Sequence, residues 1–265
     1  KVVVVTNLYG TCAKLDEIKE ICDDYGAVLI EDAAESLGAT YKGVQSGTFG
    51  KYNAISFNGN KIITTSGGGM FLTDDKDAAD KVRKWSTQSR ESAPWYQHED
   101  VGYNYRMSNI IAGIGRGQLL HLDEHIALKK KIYERYVEGF KNLPVEMNPI
   151  PTECEANYWL SCMTINKEAM CVQNRTAQTS TYVSEKGKSC PDEIMEILTK
   201  YNVESRPIWK PMHMQPIFKD CDFISVREYP VVDDIFERGL CLPSDIKMTE
   251  EEQNIIIEMI KSCFV

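Results

Sequence analysis

The sequence lacks both of the commonest zinc spacings, having no Cys-x-x-Cys and no His-Glu-x-x-His. Its cysteines stand at positions 12, 22, 154, 162, 171, 190, 221, 241 and 263. That odd number at irregular spacing argues against a disulfide framework and for reduced packing residues of a cytoplasmic protein. His121 and His125 have helical i, i+4 spacing. A ligand pair and a solvated helix face would look alike there; the solvated face is preferred, and no metal is expected. No apolar run approaches the roughly 18 residues of a membrane span. Basic residues are in deficit, 30 Lys and Arg against 39 Asp and Glu, for a net charge of −9. Nucleic acid and anionic membrane are therefore not expected as partners, since both demand basic surface. A phosphorylated ligand stays open, because a few N–H groups suffice to hold a phosphate. There is no Gly-x-Gly-x-x-Gly, and Gly47-Thr48-Phe49-Gly50-Lys51 lacks the phosphate-loop spacing. An initiator Met is also missing, and the chain opens on the β-branched run Val2–Val5, as though it were part of something longer.

What is present is ordinary for a globular chain: 265 residues, 43% hydrophobic and 26% charged. Val2–Val5 and Val28–Ile30 read as buried strands. Between them Leu15, Ile18, Cys22 and Tyr25 form the stripe of an amphipathic helix that Gly26 stops. Further strands are expected at 54–57, 62–64 and 70–72, with a helix after the Asp74-Asp75 capping signal. Ser108 is a candidate N-cap for a helix over 109–120, and a long helix should follow over 123–142. Pro144, Pro149 and Pro151 mark a shift in composition. Beyond it come short strands, a helix over 191–200 with Pro191 in its first turn, and a closing helix over 250–263 with an acidic first turn. The expected class is α/β: a parallel-rich sheet flanked by helices over residues 1–143, then a smaller α+β domain over 144–265. In open parallel sheets ligands sit beyond the carboxyl ends of the strands, which points to Asp32.

Three weak signals fall close together: Asp32-Ala33-Ala34-Glu35, Ser56 with Lys61, and Gly67-Gly68-Gly69. Singly they read as a turn aspartate, a surface lysine and a flexible backbone. Together, the stretch VLIEDAAESLGATYKGVQSGTFGKYNAISFNGNKIITTSGGG (28–69) resembles the cofactor core of the DegT/DnrJ/EryC1/StrS family. The similarity continues through YNYRMSNIIAGIGRGQL (103–119), RPIWKPMH (206–213) and LPS (242–244). It implies a fold type I transferase dependent on pyridoxal 5'-phosphate (PLP).

The resemblance assigns roles. Lys61 stands where the family's cofactor-bearing lysine stands, and a carbonyl cofactor needs one such amine. Asp32 matches the carboxylate that keeps the ring nitrogen protonated. Ser56 matches a phosphate-binding serine. Asn104 matches an asparagine that reaches the phosphate from a neighbouring subunit, which implies a homodimer with shared active sites. Glu35 lies where relatives place a residue beside the ring; it either takes part in catalysis or is a first-turn carboxylate of a helix. Asn7 and Tyr9 fall in a substrate-contacting stretch, although many relatives have His where Asn7 stands. Arg206, Trp209 and His213, with Lys210, form a basic and aromatic segment suited to a sugar nucleotide, or else a Pro-bounded surface loop.

The implied activity is transamination of a nucleotide-linked 4-keto-6-deoxy sugar, UDP- or dTDP-linked, with L-glutamate as donor, in bacterial glycan or polysaccharide biosynthesis. The pattern is similar to enzymes aminating UDP-4-keto N-acetyl sugars. Two alternatives accompany it. Family members carry roughly a third more chain before Val2, including part of the cofactor cradle, so the chain could be a truncated, non-catalytic remnant of the fold. A PLP-dependent sugar dehydratase is the other, and Lys61 argues against it, because such relatives replace that lysine with His.

Overall fold

The computed structural model describes residues 1–176 and 178–265. In chain order the main elements are β1 (Val2–Thr6), α1 (Leu15–Asp24), β2 (Val28–Asp32), β3 (Thr40–Tyr41), β4 (Val44–Gln45), β5 (Tyr52–Ser56), β6 (Gly69–Leu72), α2 (Lys76–Ser86), α3 (Asn109–Leu119) and α4 (Leu122–Gly139). Then come β7 (Val145–Met147), β8 (Cys154–Glu155), β9 (Cys162–Ile165), β10 (Val172–Arg175), β11 (Ser180–Val183), α5 (Pro191–Lys200), β12 (Arg206–Pro207), α6 (Val231–Arg238), β13 (Gly239–Cys241) and α7 (Glu250–Ser262). They form two compact units, residues 1–128 with 150–159, and residues 129–149 with 160–265.

The first unit is built on a sheet of order β1-β2-β5-β6, parallel across the first three strands and antiparallel at β6. Its register sets Thr6 beside Asp32 and Asp32 beside Ala54, so residues 6, 32 and 56 all fall at carboxyl ends. The stripe Leu15, Ile18 and Cys22 of α1 packs with Val5, Leu29, Tyr41, Cys154 and Ala156. Tyr41 and Cys154 are adjacent across the small sheet β4-β3-β8. The amide of Cys12 donates to Cys154 Sγ (3.3 Å), tying the loop after β1 to β8. At the sheet edge, Val2, Val3 and Val4 are exposed. Two helix starts carry the expected caps, Asp75 accepting from Ala78 N and Ser108 from Ile111 N, and Thr249 adds a capping box with Glu252.

One expected strand is corrected. Residues 62–64 are not a strand but part of a closed loop between β5 and β6. Phe57 N donates to Gly68 O and Thr65 N to Phe57 O, so the chain between them folds back on itself. Ile62 and Ile63 are still buried, at 8% and 2% exposure. The Ile62 carbonyl takes Nδ1 of His125 at 3.0 Å, so that ring closes a loop in the first unit.

The second unit has the antiparallel-paired sheet β12-β13-β9-β7. Ile132, Tyr136, Phe140, Met163, Ile165, Ile194, Leu198, Leu240, Ile256, Ile257 and Ile260 make its core. Buried polar groups there are tied to backbone: Tyr136 OH donates to Pro243 O (2.9 Å) and Gln253 Nε2 to Ile132 O (2.8 Å). Lys129 donates from Nζ to Ser244 O. Among the described residues no helix is long and apolar enough to cross a membrane.

Burial pushes the Lys129 ammonium down to about 8, against the opposing pull of Asp245. A folded pKa below the unfolded one means that the unfolded chain binds more protons between the two values, so stability rises with pH across about 8 to 10.5. Urea midpoints at pH 7.5 and 9.5 should therefore increase for the wild type by an amount equivalent to about 2 kcal/mol. The increment should shrink in Lys129→Met; an equal rise in both proteins would mean that Lys129 does not titrate as a buried amine.

Candidate active site

The carboxyl ends of β1, β2 and β5 are organised around a buried acid. Glu31 is fully buried and shares the inward side of β2 with Leu29. Its Oε1 accepts from Asn7 Nδ2 (2.8 Å) and Gly47 N (2.7 Å), and its Oε2 from Phe49 N (2.9 Å). Charge-assisted hydrogen bonds from preset N–H groups offset the desolvation of a carboxylate. They also hold the end of β1 and the loop before β5 to one point on β2.

Asp32, the next residue, therefore turns to the other side at the strand end. It is partly buried, and its Oδ1 accepts from Ala34 N (3.0 Å), the local bond of an aspartate turn. Residues 34–38 are turns rather than a helix, which removes the helix-first-turn alternative for Glu35. Instead, Glu35 Oε2 accepts from Tyr9 N (2.8 Å), and its Oε1 lies 3.9 Å from Lys61 Nζ. Both side chains are largely buried, at 13% exposure for Lys61 and 12% for Glu35. Tyr9 presents that amide from a left-handed backbone (φ 57°). Ser56 ends β5, and its Oγ accepts from Asn58 N (3.2 Å). Lys61 closes the following turn with N donating to Asn58 O (3.0 Å). Amine, two carboxylates and hydroxyl are thus carried by neighbouring strand ends and the loops after them.

The sequence did not disclose what holds these loops. Residues 157–159 form a buried clip. Asn157 Nδ2 donates to the carbonyls of Glu35 (3.0 Å) and Leu37 (2.9 Å), its Oδ1 accepts from Trp159 N (2.8 Å), and its N donates to Gly10 O (3.0 Å). Trp159 Nε1 donates to Asn60 O (2.7 Å), and its ring lies under Lys61 Nζ, 4.4 Å from the centroid. One short segment so touches the loops after β1, β2 and β5. Gly10 fits only without a side chain: at φ +94° a Cβ would stand 2.0 Å from Asn157 Oδ1. Neither Asn157 nor Trp159 belongs to a local motif; the only hint is a polar and an aromatic residue beside the proline-marked shift.

The other expected residues are placed as follows. Asn7 is fully buried with both ends of its amide engaged, Nδ2 on Glu31 and Oδ1 on Ala13 N (3.0 Å). Asn104 is exposed and forms a backbone bridge with Thr87. Arg206, Trp209 and His213 belong to the second unit. There Arg206 pairs with Glu204 (Nε to Oε1, 2.8 Å), Trp209 is 38% exposed, and His213 stacks on Phe223 (3.7 Å) with Nε2 2.9 Å from Asp233 Oδ1.

The family described as "DegT/DnrJ/EryC1/StrS aminotransferase family" matches residues 1–261. A curated relative, the putative pyridoxal phosphate-dependent aminotransferase EpsN of Bacillus subtilis (strain 168), is 45% identical over 266 residues, covering 100% of this chain and 63% of its own. The GDP-perosamine synthase of Escherichia coli O157:H7 is 31% identical over 264 residues, covering 100% of this chain and 66% of its own. The chain thus spans slightly less than two thirds of the length of these relatives. Among solved structures, the putative sugar aminotransferase Spr1654 of Streptococcus pneumoniae in its PLP form has a TM-score of 0.83 at 23% identity, covering 99% of this chain and 68% of its own. That likeness supports the α/β fold of type I PLP transferases.

Glu31→Gln tests the buried tie. Its three recorded donors leave no place for an amide NH2, which would face an N–H from Gly47 and Asn7 or from Phe49. The urea midpoint should fall by the equivalent of about 2–3 kcal/mol with the transition slope unchanged. A midpoint within error of wild type would mean that the loop bonds contribute little.

Proposed function

The chain belongs to the DegT/DnrJ/EryC1/StrS aminotransferase family, and on that footing we propose that it serves PLP-dependent amino transfer to a nucleotide-linked keto-sugar in polysaccharide biosynthesis. The observation that carries this reading is the position of Lys61. Its amine is held between the Glu35 carboxylate and the Trp159 face, beside strand ends that carry Asp32 and Ser56. The donor set fits the cofactor: an amine for its carbonyl, a carboxylate for its ring nitrogen and a hydroxyl for its phosphate. When bound, PLP supplies an electron-withdrawing ring that allows an amino group to be exchanged for a carbonyl oxygen.

The chain's own groups would do the rest. Asp32 would hold a proton on the ring nitrogen through its carboxylate. Ser56 Oγ would donate to a phosphate oxygen. Lys61 Nζ would take a proton from the reacting carbon and return it, as a positioned general base and acid. Glu35, kept in place by the Tyr9 amide, would orient that amine and accept from it.

The finer assignments follow the same reading. L-Glutamate is the proposed donor, and a 4-keto-6-deoxy sugar on UDP or dTDP the proposed acceptor. The kinship with a GDP-perosamine synthase adds a guanine nucleotide to the choice. Tyr9, Arg206, Trp209 and His213 are the proposed substrate residues, whereas the amide of Asn7 is already engaged by Glu31 and Ala13 N. A homodimer in the cytoplasm is proposed, with Asn104 serving the phosphate of a neighbouring subunit.

A visible spectrum tests the reading. Added PLP should give a bound-cofactor band that glutamate bleaches, and Lys61→Ala should remove the band and lower amino transfer on the order of a thousandfold. Borohydride reduction followed by peptide mapping should place the cofactor on Lys61. No band in the wild type would count against the reading, and a label on another lysine would sink the assignment of Lys61.

A further inference from the structure

The side chain of lysine is a flexible stem, so a reactive amine has to be fixed at two places: where its backbone sits and where its nitrogen points. Here both are referred to one side chain. The indole Nε1 of Trp159 donates to the carbonyl of Asn60, the residue immediately before Lys61 (2.7 Å). The same indole offers its face to Lys61 Nζ, 4.4 Å from the ring centroid. Trp159 is itself immobile, being 2% exposed with its own N–H held by Asn157 Oδ1. Asn157 in turn grips Glu35 and Leu37 through their carbonyls, so the acid facing the amine is referred to the same segment.

We propose that Trp159 is the positioning residue for Lys61, its indole N–H fixing the turn that carries the lysine and its ring face directing the amine toward Glu35. The role rests on the reading of Lys61 as the reactive lysine. A tryptophan that merely fills the core would act through volume alone. One that positions the amine acts through two separable properties, a donor and an aromatic face. A cation over an aromatic ring is stabilised most when it is shielded from water, as Lys61 is at 13% exposure.

Two variants of the full chain, without cofactor, separate these properties. Trp159→Phe keeps a ring and loses the donor; Trp159→Met keeps much of the volume and loses both. The first readout is acetylation of Lys61 by an N-hydroxysuccinimide ester, measured by mass spectrometry against the exposed Lys51 of the same molecule (55% exposed). Lys61 should be labelled roughly tenfold faster in the Met variant, matching loss of a shielded cation–π contact, and within about twofold of wild type in the Phe variant. The second is hydrogen exchange at the Lys61 amide, which should accelerate several-fold in both, since the Asn60 carbonyl is released in both. Equal labelling of Lys61 in all three proteins, or labelling accelerated equally in the Phe and Met variants, overturns the proposal, the latter being the signature of a core filler. If the Met variant does not fold, the Phe variant decides. Faster amide exchange with labelling retained upholds the proposal, and unchanged exchange overturns it. The borohydride map reports on the underlying reading by itself, since cofactor on another lysine would remove that reading without altering either rate.

Discussion

A carboxylate surrounded by N–H groups is the constraint on which the rest of this architecture depends. Glu31 has no exposure to water, and the partners recorded for it are the Asn7 amide and the backbone N–H groups of Gly47 and Phe49. Burying a charge is expensive in isolation, but each charge-assisted bond returns about 1.5–3 kcal/mol when the donors are already in place. The donors come from the end of β1 and from the loop entering β5, so the acid ties both flanking strands of β2 to it. With those three strands in register, Asp32 and Ser56 fall at adjacent carboxyl ends without further arrangement.

A second layer of order lies over that one. Sheet register places residues 6, 32 and 56, but it says nothing about the loops beyond them. Those loops are stitched by Asn157 and Trp159, which join the carbonyls of Gly10, Glu35, Leu37 and Asn60. The acid and amine that face one another, Glu35 and Lys61, are thereby held by backbone contacts as much as by their own attraction. That attraction is modest at 3.9 Å. The division of labour is physical: the sheet sets positions along the strands, and the clip sets the orientation of the loops.

How much of this could be read in advance depended on range. The run Val28–Ile30 and the charged residues closing it made β2 and Asp32 legible, and the stripe of α1 was legible for the same periodic reason. The expectation for Lys61 and Ser56 came from their resemblance to a family pattern, not from local chemistry, since a lysine after Asn-Gly-Asn looks like any surface charge. Ile62–Thr64 misled, because two isoleucines bury equally well in a loop whose backbone is bonded to Phe57 and His125. Glu31 carried a signal that went unused: in a strand of period two it shares parity with Leu29 and so points inward. Asn157 and Trp159 carried no such signal. Their meaning lies in partners far away in the chain, and no window of local sequence contains both ends of those bonds.

That distance bears on how the chain comes into being. The indole bond spans 99 residues and the Asn157 bond to Glu35 spans 122. A ribosome adds roughly 5–20 residues each second, so Lys61 emerges on the order of 5–20 seconds before the side chain that steadies it. Throughout that interval the nascent sheet can assemble, because Glu31 finds its donors within 24 residues on one side and 18 on the other. The lysine turn, however, must wait unpinned. Synthesis therefore imposes an order on maturation, scaffold first and lysine turn last, and the amine is least guarded while the chain is still being made.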